Sequence, residues 1–162
     1  MSPLFYQSKK ESVWDYPRPP RVEPTSKRIR VAFAGVAIAD TQRALRVLET
    51  SHPPVYYIPP QDVRREFLVP SGHKTFCEFK GIAHYWTARV KDQEAVNGAW
   101  AYPSPSAGYG ILRDHFAFYV HLMGACYVGN ERAEPQPGGF YGGWMTSDIV
   151  GPFKGGRGTE TW

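Results

Sequence analysis

A carboxylate, an ammonium and a thiol, Glu49, Lys80 and Cys77, stand where short strands would carry them. Alternation puts Glu49 on the face of Leu45 and Val47, with its carboxylate toward the interior. Lys80 closes a strand just before Gly81 and shares a face with Phe76 and Glu78. An acid and an amine in one apolar pocket would be strongly coupled, orienting a polar ligand or relaying a proton. At a sheet edge the same two residues would make a structural ion pair. Cys77, on the face of Thr75 and Phe79, is the candidate nucleophile, with His52 or His84 as its base if the fold brings one near. Without such a base a free cysteine is a small buried hydrophobe.

The strongest constellation is aromatic. Tyr56, Tyr57, Tyr85, Trp86, Trp100, Tyr102 and Tyr119 fall on strands or their ends, and period two sends alternate members to opposite faces. Trp86 with Ile82, His84 and Val90 reads as the packed face, which leaves Tyr85 opposite. Trp100 and Tyr102 share a face. Rings around a concavity, with a few polar fixers, are the usual make-up of a small-molecule site. The alternative is an aromatic core whose tyrosine hydroxyls reach solvent. Tyr56, Thr75, Tyr85, Trp100 and Tyr102 are the candidate ligand contacts, and Glu49, Lys80 and Cys77 the candidate catalytic residues. The histidines (52, 73, 84, 115 and 121) show no HxxxH or HxH spacing, so no metal site is expected. The glycine-rich runs at 108–110 and 155–158 lack a following Lys-Ser/Thr and are not phosphate loops.

These residues need strands to hold them. Period-two patterning predicts strands at 28–34, 36–39, 55–58, 75–80, 82–90, 99–102, 116–120 and 125–128. Gly35 turns the first pair, and Gly129-Asn130 leaves the last strand through a hairpin. Residues 44–48 fit helix and strand spacing equally. Residues 61–67 read as a short helix behind Pro60. From Pro135 a Gly/aromatic texture takes over, expected to wrap the domain. The organisation is then a basic, proline-rich extension at 1–24, a β domain at 25–134 and a Gly/aromatic extension at 135–162 that packs on it.

Composition agrees. Among 162 residues, 16 glycines and 15 prolines are too dense for helix bundles, while 42% hydrophobic and 15% aromatic content excludes disorder. The net charge is +4, and residues 1–30 carry all of it, with seven basic against three acidic side chains. The balanced remainder argues against specific nucleic-acid binding. Trp14 and Tyr16 are expected to anchor the basic segment to the domain. No apolar run is long enough to span a membrane and no secretory signal is evident. Two cysteines make neither a disulfide framework nor a four-thiolate zinc site, so a reducing cytoplasm is the expected compartment.

Several joined segments carry a family resemblance: Arg43–Thr50 with Pro53–Pro59, Thr75–Gly81 with Tyr85-Trp86, Ala99–Pro103, and Phe116–Tyr119. Over residues 22–134 they resemble domain-of-unknown-function family 427, with the tail from Pro135 as a subgroup extension. The resemblance implies a β-tent, two antiparallel sheets meeting at an angle, as in type B methionine sulfoxide reductases and the drug-binding domain of cereblon. It implies strand for 44–48. The paired CxxC motifs that hold zinc in many β-tents are missing here. The family has been labelled nucleotidyltransferase-like, but Asp114 and Asp148 stand alone, without the paired aspartates of two-metal phosphoryl transfer. The expectation is a domain that binds an unidentified small molecule in an aromatic pocket, with no cofactor. The alternatives are an enzyme using Cys77 or the Glu49/Lys80 pair in redox or transferase chemistry, and an interaction module or homodimer held through Phe140–Trp144.

Overall fold

A computed structural model describes residues 9–162, so the first eight residues of the predicted N-terminal extension lie outside the described residues. The chain is mostly β, with short 3-10 turns and no α-helix among the described residues. It opens with β1 (Glu11–Ser12), β2 (Arg21–Pro24), and the hairpin of β3 (Ile29–Phe33) and β4 (Val36–Thr41). Ala34 and Gly35 turn this hairpin with φ of 50° and 79°, the two-residue geometry that matches strand twist. Next come β5 (Leu45–Leu48) and β6 (Val55–Tyr57), so the ambiguous 44–48 segment is strand, as the resemblance implies.

The helix expected at 61–67 is instead two 3-10 turns, Pro60–Asp62 and Arg65–Phe67. Val63 interrupts them because it bridges Ala39, and Arg64 N–H donates to the Ile38 carbonyl at 2.7 Å. Sheet pairing outweighs local helix preference there.

Three long strands follow: β7 (Leu68–Cys77), β8 (Gly81–Val90) and β9 (Gln93–Ala101). The strand expected at 75–80 therefore starts earlier and ends at Cys77, and residues 78–80 form the turn into β8. The pairing of β7 with β8 shifts register between Pro70 and Lys74, which lets the strand run on through Ser71 and Gly72. The last strands are β10 (Ala117–Phe118), β11 (Ala125–Val128), β12 (Glu131–Arg132), β13 (Glu134–Pro135), β14 (Trp144–Met145) and β15 (Ile149–Val150).

Two four-stranded sheets, β10-β9-β8-β7 and β12-β11-β3-β4, and the three-stranded β2-β5-β6 are antiparallel throughout. An Ile58–Phe116 bridge ties the segment after β6 to the segment before β10. The β8–β10 part of the β7–β10 sheet carries a core on each face. Ala88, Val90, Ala99, Ala101 and Phe118 join the main core with Ile29, Val31, Ile38 and Cys126. On the other face Ala83, Tyr85, Trp100, Tyr102 and Ala117 form a second core with Leu45, Val47 and Tyr57. Trp86 does share the face of Ala88 and Val90, but this face is open where β8 begins: Ile82 is 51% exposed.

The extensions are tied into the domain. β1 pairs in parallel with β15, and Val13 and Tyr16 pack on Leu48 and Ile149. Trp14 remains partly exposed while its Nε1 donates to the Pro152 carbonyl at 2.8 Å. Residues 135–162 do more than wrap. Trp144 is fully buried in the main core, packs at a tilt against Tyr56 with ring centroids 5.0 Å apart, and its backbone N–H donates to the Pro54 carbonyl. No helix among the described residues is long and apolar enough to cross a membrane.

Candidate functional site

The second core does not close completely. Between β5–β6, the β7–β9 sheet and the C-terminal extension lies a cavity of about 440 Å³, toward the lower end of the range typical of ligand pockets. Glu49, Lys80, Cys77, Thr75, Tyr85, Trp100 and Tyr102 all line it. Tyr56 does not. It faces the main core against Trp144, and burial, only partly offset by nearby Arg46, pushes its phenol up to about 12. Its neighbour Tyr57 takes the cavity position. The antiparallel register pairs Tyr57 with Leu45 and Tyr56 with Arg46, so the face already assigned to Leu45, Val47 and Glu49 carried the signal for Tyr57.

Lys80 is placed by the turn. Gly81 adopts φ +107°, a conformation L side chains rarely adopt, and the Ser106 N–H donates to the Lys80 carbonyl at 2.9 Å. The side chain then runs inward and is 9% exposed, with its Nζ 5.9 Å from the Tyr102 ring centroid. Burial works against its charge, but Tyr57, Cys77 and Glu49 around it outweigh burial and hold Lys80 above the usual lysine range. Cys77 lies beside it on the cavity wall, and among the described residues no oxygen hydrogen-bonds its Nζ and no carboxylate lies within ion-pair distance.

Glu49 and Lys80 thus face one cavity without pairing. The Glu49 carboxylate meets Arg18 Nε at 3.4 Å and lies 3.7 Å from His52 Nε2. Gln136 fixes the tautomer of His52: its Oε1 accepts from the Gly143 N–H, and its Nε2 donates to the Lys154 carbonyl at 2.8 Å and to His52 Nδ1 at 3.0 Å. The imidazole proton therefore sits on Nε2, toward Glu49. Burial, with Lys154, Arg18 and Lys80 nearby, drops the His52 pKa to about 4. A neutral ring with Nδ1 occupied has no lone pair to lend to Cys77. His84 lies on the strand face opposite Ala83 and Tyr85, so neither histidine makes a dyad with the thiol.

The rings are held by their polar edges. Trp100 Nε1 donates to the Tyr57 hydroxyl at 3.2 Å, and the Tyr85 hydroxyl meets Thr75 Oγ1 at 2.9 Å. Burial raises the phenols of Tyr57, Tyr102 and Tyr119, so each stays a neutral hydrogen-bonding group at physiological pH. The C-terminal extension supplies the remaining wall. Gly142 lies flat on the six-membered edge of Trp100, where a Cβ would overlap the ring. The Tyr119 hydroxyl donates to the Phe140 carbonyl at 3.1 Å, and Lys154 Nζ donates to the Trp162 main-chain oxygen at 3.2 Å. Arg18, Gln136, Tyr141 and Lys154 were beyond sequence reasoning, because they reach the cavity from loops with no period to read. Among the described residues no three His, Cys, Asp or Glu side chains converge as metal ligands.

A family model described as a domain of unknown function (DUF427) matches residues 21–129. No curated protein matches the chain.

Proposed function

The chain belongs to the DUF427 family, and on that premise we propose that it binds a small molecule in the aromatic cavity, with Lys80 as the principal polar contact. One observation carries this reading: the ammonium of a largely buried lysine faces a cavity walled by rings and has no oxygen partner among the described residues. Buried charges are normally paired, because removing an unpaired ion from water costs several kcal/mol. An occupant of the cavity would supply the missing partner. The cytoplasm, which keeps Cys77 and Cys126 reduced, is the compartment this reading implies.

The test is thermal-shift screening of the full chain against metabolites of several chemical classes, repeated with Lys80→Met. Stabilisation by at least one class that the variant loses supports the reading. No stabilisation by any class defeats it.

A second reading, an enzyme, has the placement of Cys77 in its favour, half-buried in the cavity beside Lys80. Slow alkylation of Cys77 in the native protein at neutral pH would count against it, since nucleophilic catalysis needs an accessible thiolate. An interaction role draws less support. Of the rings in the 140–144 loop, Trp144 is buried and Tyr141 partly covered, leaving only Phe140, 69% exposed, as an anchor. A homodimer through Phe140 predicts a dimeric mass by light scattering that Phe140→Ser reduces to a monomer.

A further inference from the structure

We infer that the occupant is an aromatic monocarboxylate: a ring or fused pair of rings lies among Trp100, Tyr85 and Tyr102, and its carboxylate meets Lys80. This rests on the small-molecule reading and narrows it to one chemical class.

The charges facing the cavity select the anion. Arg18 is engaged by Glu49 and by the Thr50 carbonyl, to which its Nη2 donates at 2.9 Å. Lys154 donates to Trp162 and sits 5.6 Å over the Tyr141 ring. His52 is neutral, and Glu78 is exposed at the rim. That leaves Lys80 as the inward cation with no oxygen partner among the described residues. A single ammonium matches a single carboxylate. A nucleoside polyphosphate would bring several charges to a wall that offers no glycine-rich amide cradle, despite the family's nucleotidyltransferase label.

The wall selects the rest of the ligand. Phe79, Tyr85, Trp100, Tyr102, Tyr119 and Tyr141 line the cavity, and an aromatic partner gains from such rings more than area burial alone gives. The Tyr57 hydroxyl, which accepts from Trp100 Nε1, keeps its own proton for one of the carboxylate's remaining lone pairs. A volume of about 440 Å³ suits one or two rings.

Titration calorimetry on the full chain with three matched probes tests this: indole-3-acetate, indole-3-acetamide and tryptamine, with octanoate as the ringless acid. We expect indole-3-acetate to bind at least tenfold tighter than its amide and than octanoate, and tryptamine to bind weakest. Lys80→Met should remove the preference for acid over amide and leave amide binding within about twofold. The amide and amine comparisons use the native protein, so they stand even if the variant folds poorly. Amide binding as tight as the acid, or octanoate as tight as both, overturns the aromatic-acid assignment while leaving a binding cavity. Failure of all four probes also overturns it, and the metabolite screen then decides separately whether the cavity binds anything.

Discussion

His52 is 8% exposed, and its imidazole stays neutral in the fold down to about pH 4, whereas an unfolded chain protonates it near 6.5. Its contribution to stability is complete above the unfolded value and is lost as pH falls from about 6.5 toward 4. At ~1.4 kcal/mol per pH unit of difference, the loss is about 3 kcal/mol. Chemical denaturation between pH 7 and 4 should show this slope, and His52→Asn, whose amide oxygen can still accept from Gln136, should flatten it. The two thiols should also part company. Cys126 is fully buried in the main core, and desolvation pushes it up to about 12. Iodoacetamide on the native chain should therefore label Cys77 and leave Cys126 untouched, read by peptide mass. Labelling of Cys126 at the same rate would mean that the main core opens readily.

At the scale of elements, two glycines hold the site in shape. Gly81→Ala forces a side chain into φ +107° with its Cβ 3.2 Å from Ser106 Oγ. It should cost about 1–3 kcal/mol, read as a lower Tm, and turn Lys80 away from the cavity. Gly142→Ala has no unusual φ to violate, but its methyl would overlap Trp100. It should lift residues 140–142 at a cost of about 1–3 kcal/mol and open that segment to limited proteolysis. The strands behind these turns were largely legible. β11 is patterned residue by residue, and Trp100 and Tyr102 share the face that alternation assigns them. What the pattern could not carry was coverage. Period two separates the faces of β8, yet only tertiary packing shows that Tyr85 is buried on one face while Ile82 is left open on the other. Glu49, Lys80 and Cys77 come together because separate strands end at one place. The choice of Tyr57 over Tyr56 needed the β5–β6 register.

For the molecule as a whole, the C-terminal extension is part of the core. Removing residues 135–162 deletes Trp144 from the main core and Ile149 from the cluster that anchors Val13 and Tyr16. The loss of a buried tryptophan alone costs about 3–5 kcal/mol, against a typical total of about 5–15. A chain ending at 134 should lose its cooperative thermal transition or aggregate. A well-folded monomer of unchanged Tm would show that the extension is dispensable. The N-terminal side is held by charge as well as packing. Arg46, with its side chain 11% exposed, bonds Glu23 at 2.6 Å and Glu11 at 3.2 Å.

The two limbs of the extension cross at Gly138 and Gly155, where a Cβ on either residue would run into the other limb's backbone: Gly155 on one side, Pro137 on the other. Neither limb can swing without dragging its twin, so Phe140–Gly142 and Lys154, which meet the cavity from different stretches of chain, should breathe as one body. Amide hydrogens across 136–145 and 154–159 should then exchange with deuterium at a common rate, and an occupant touching only one limb should slow both.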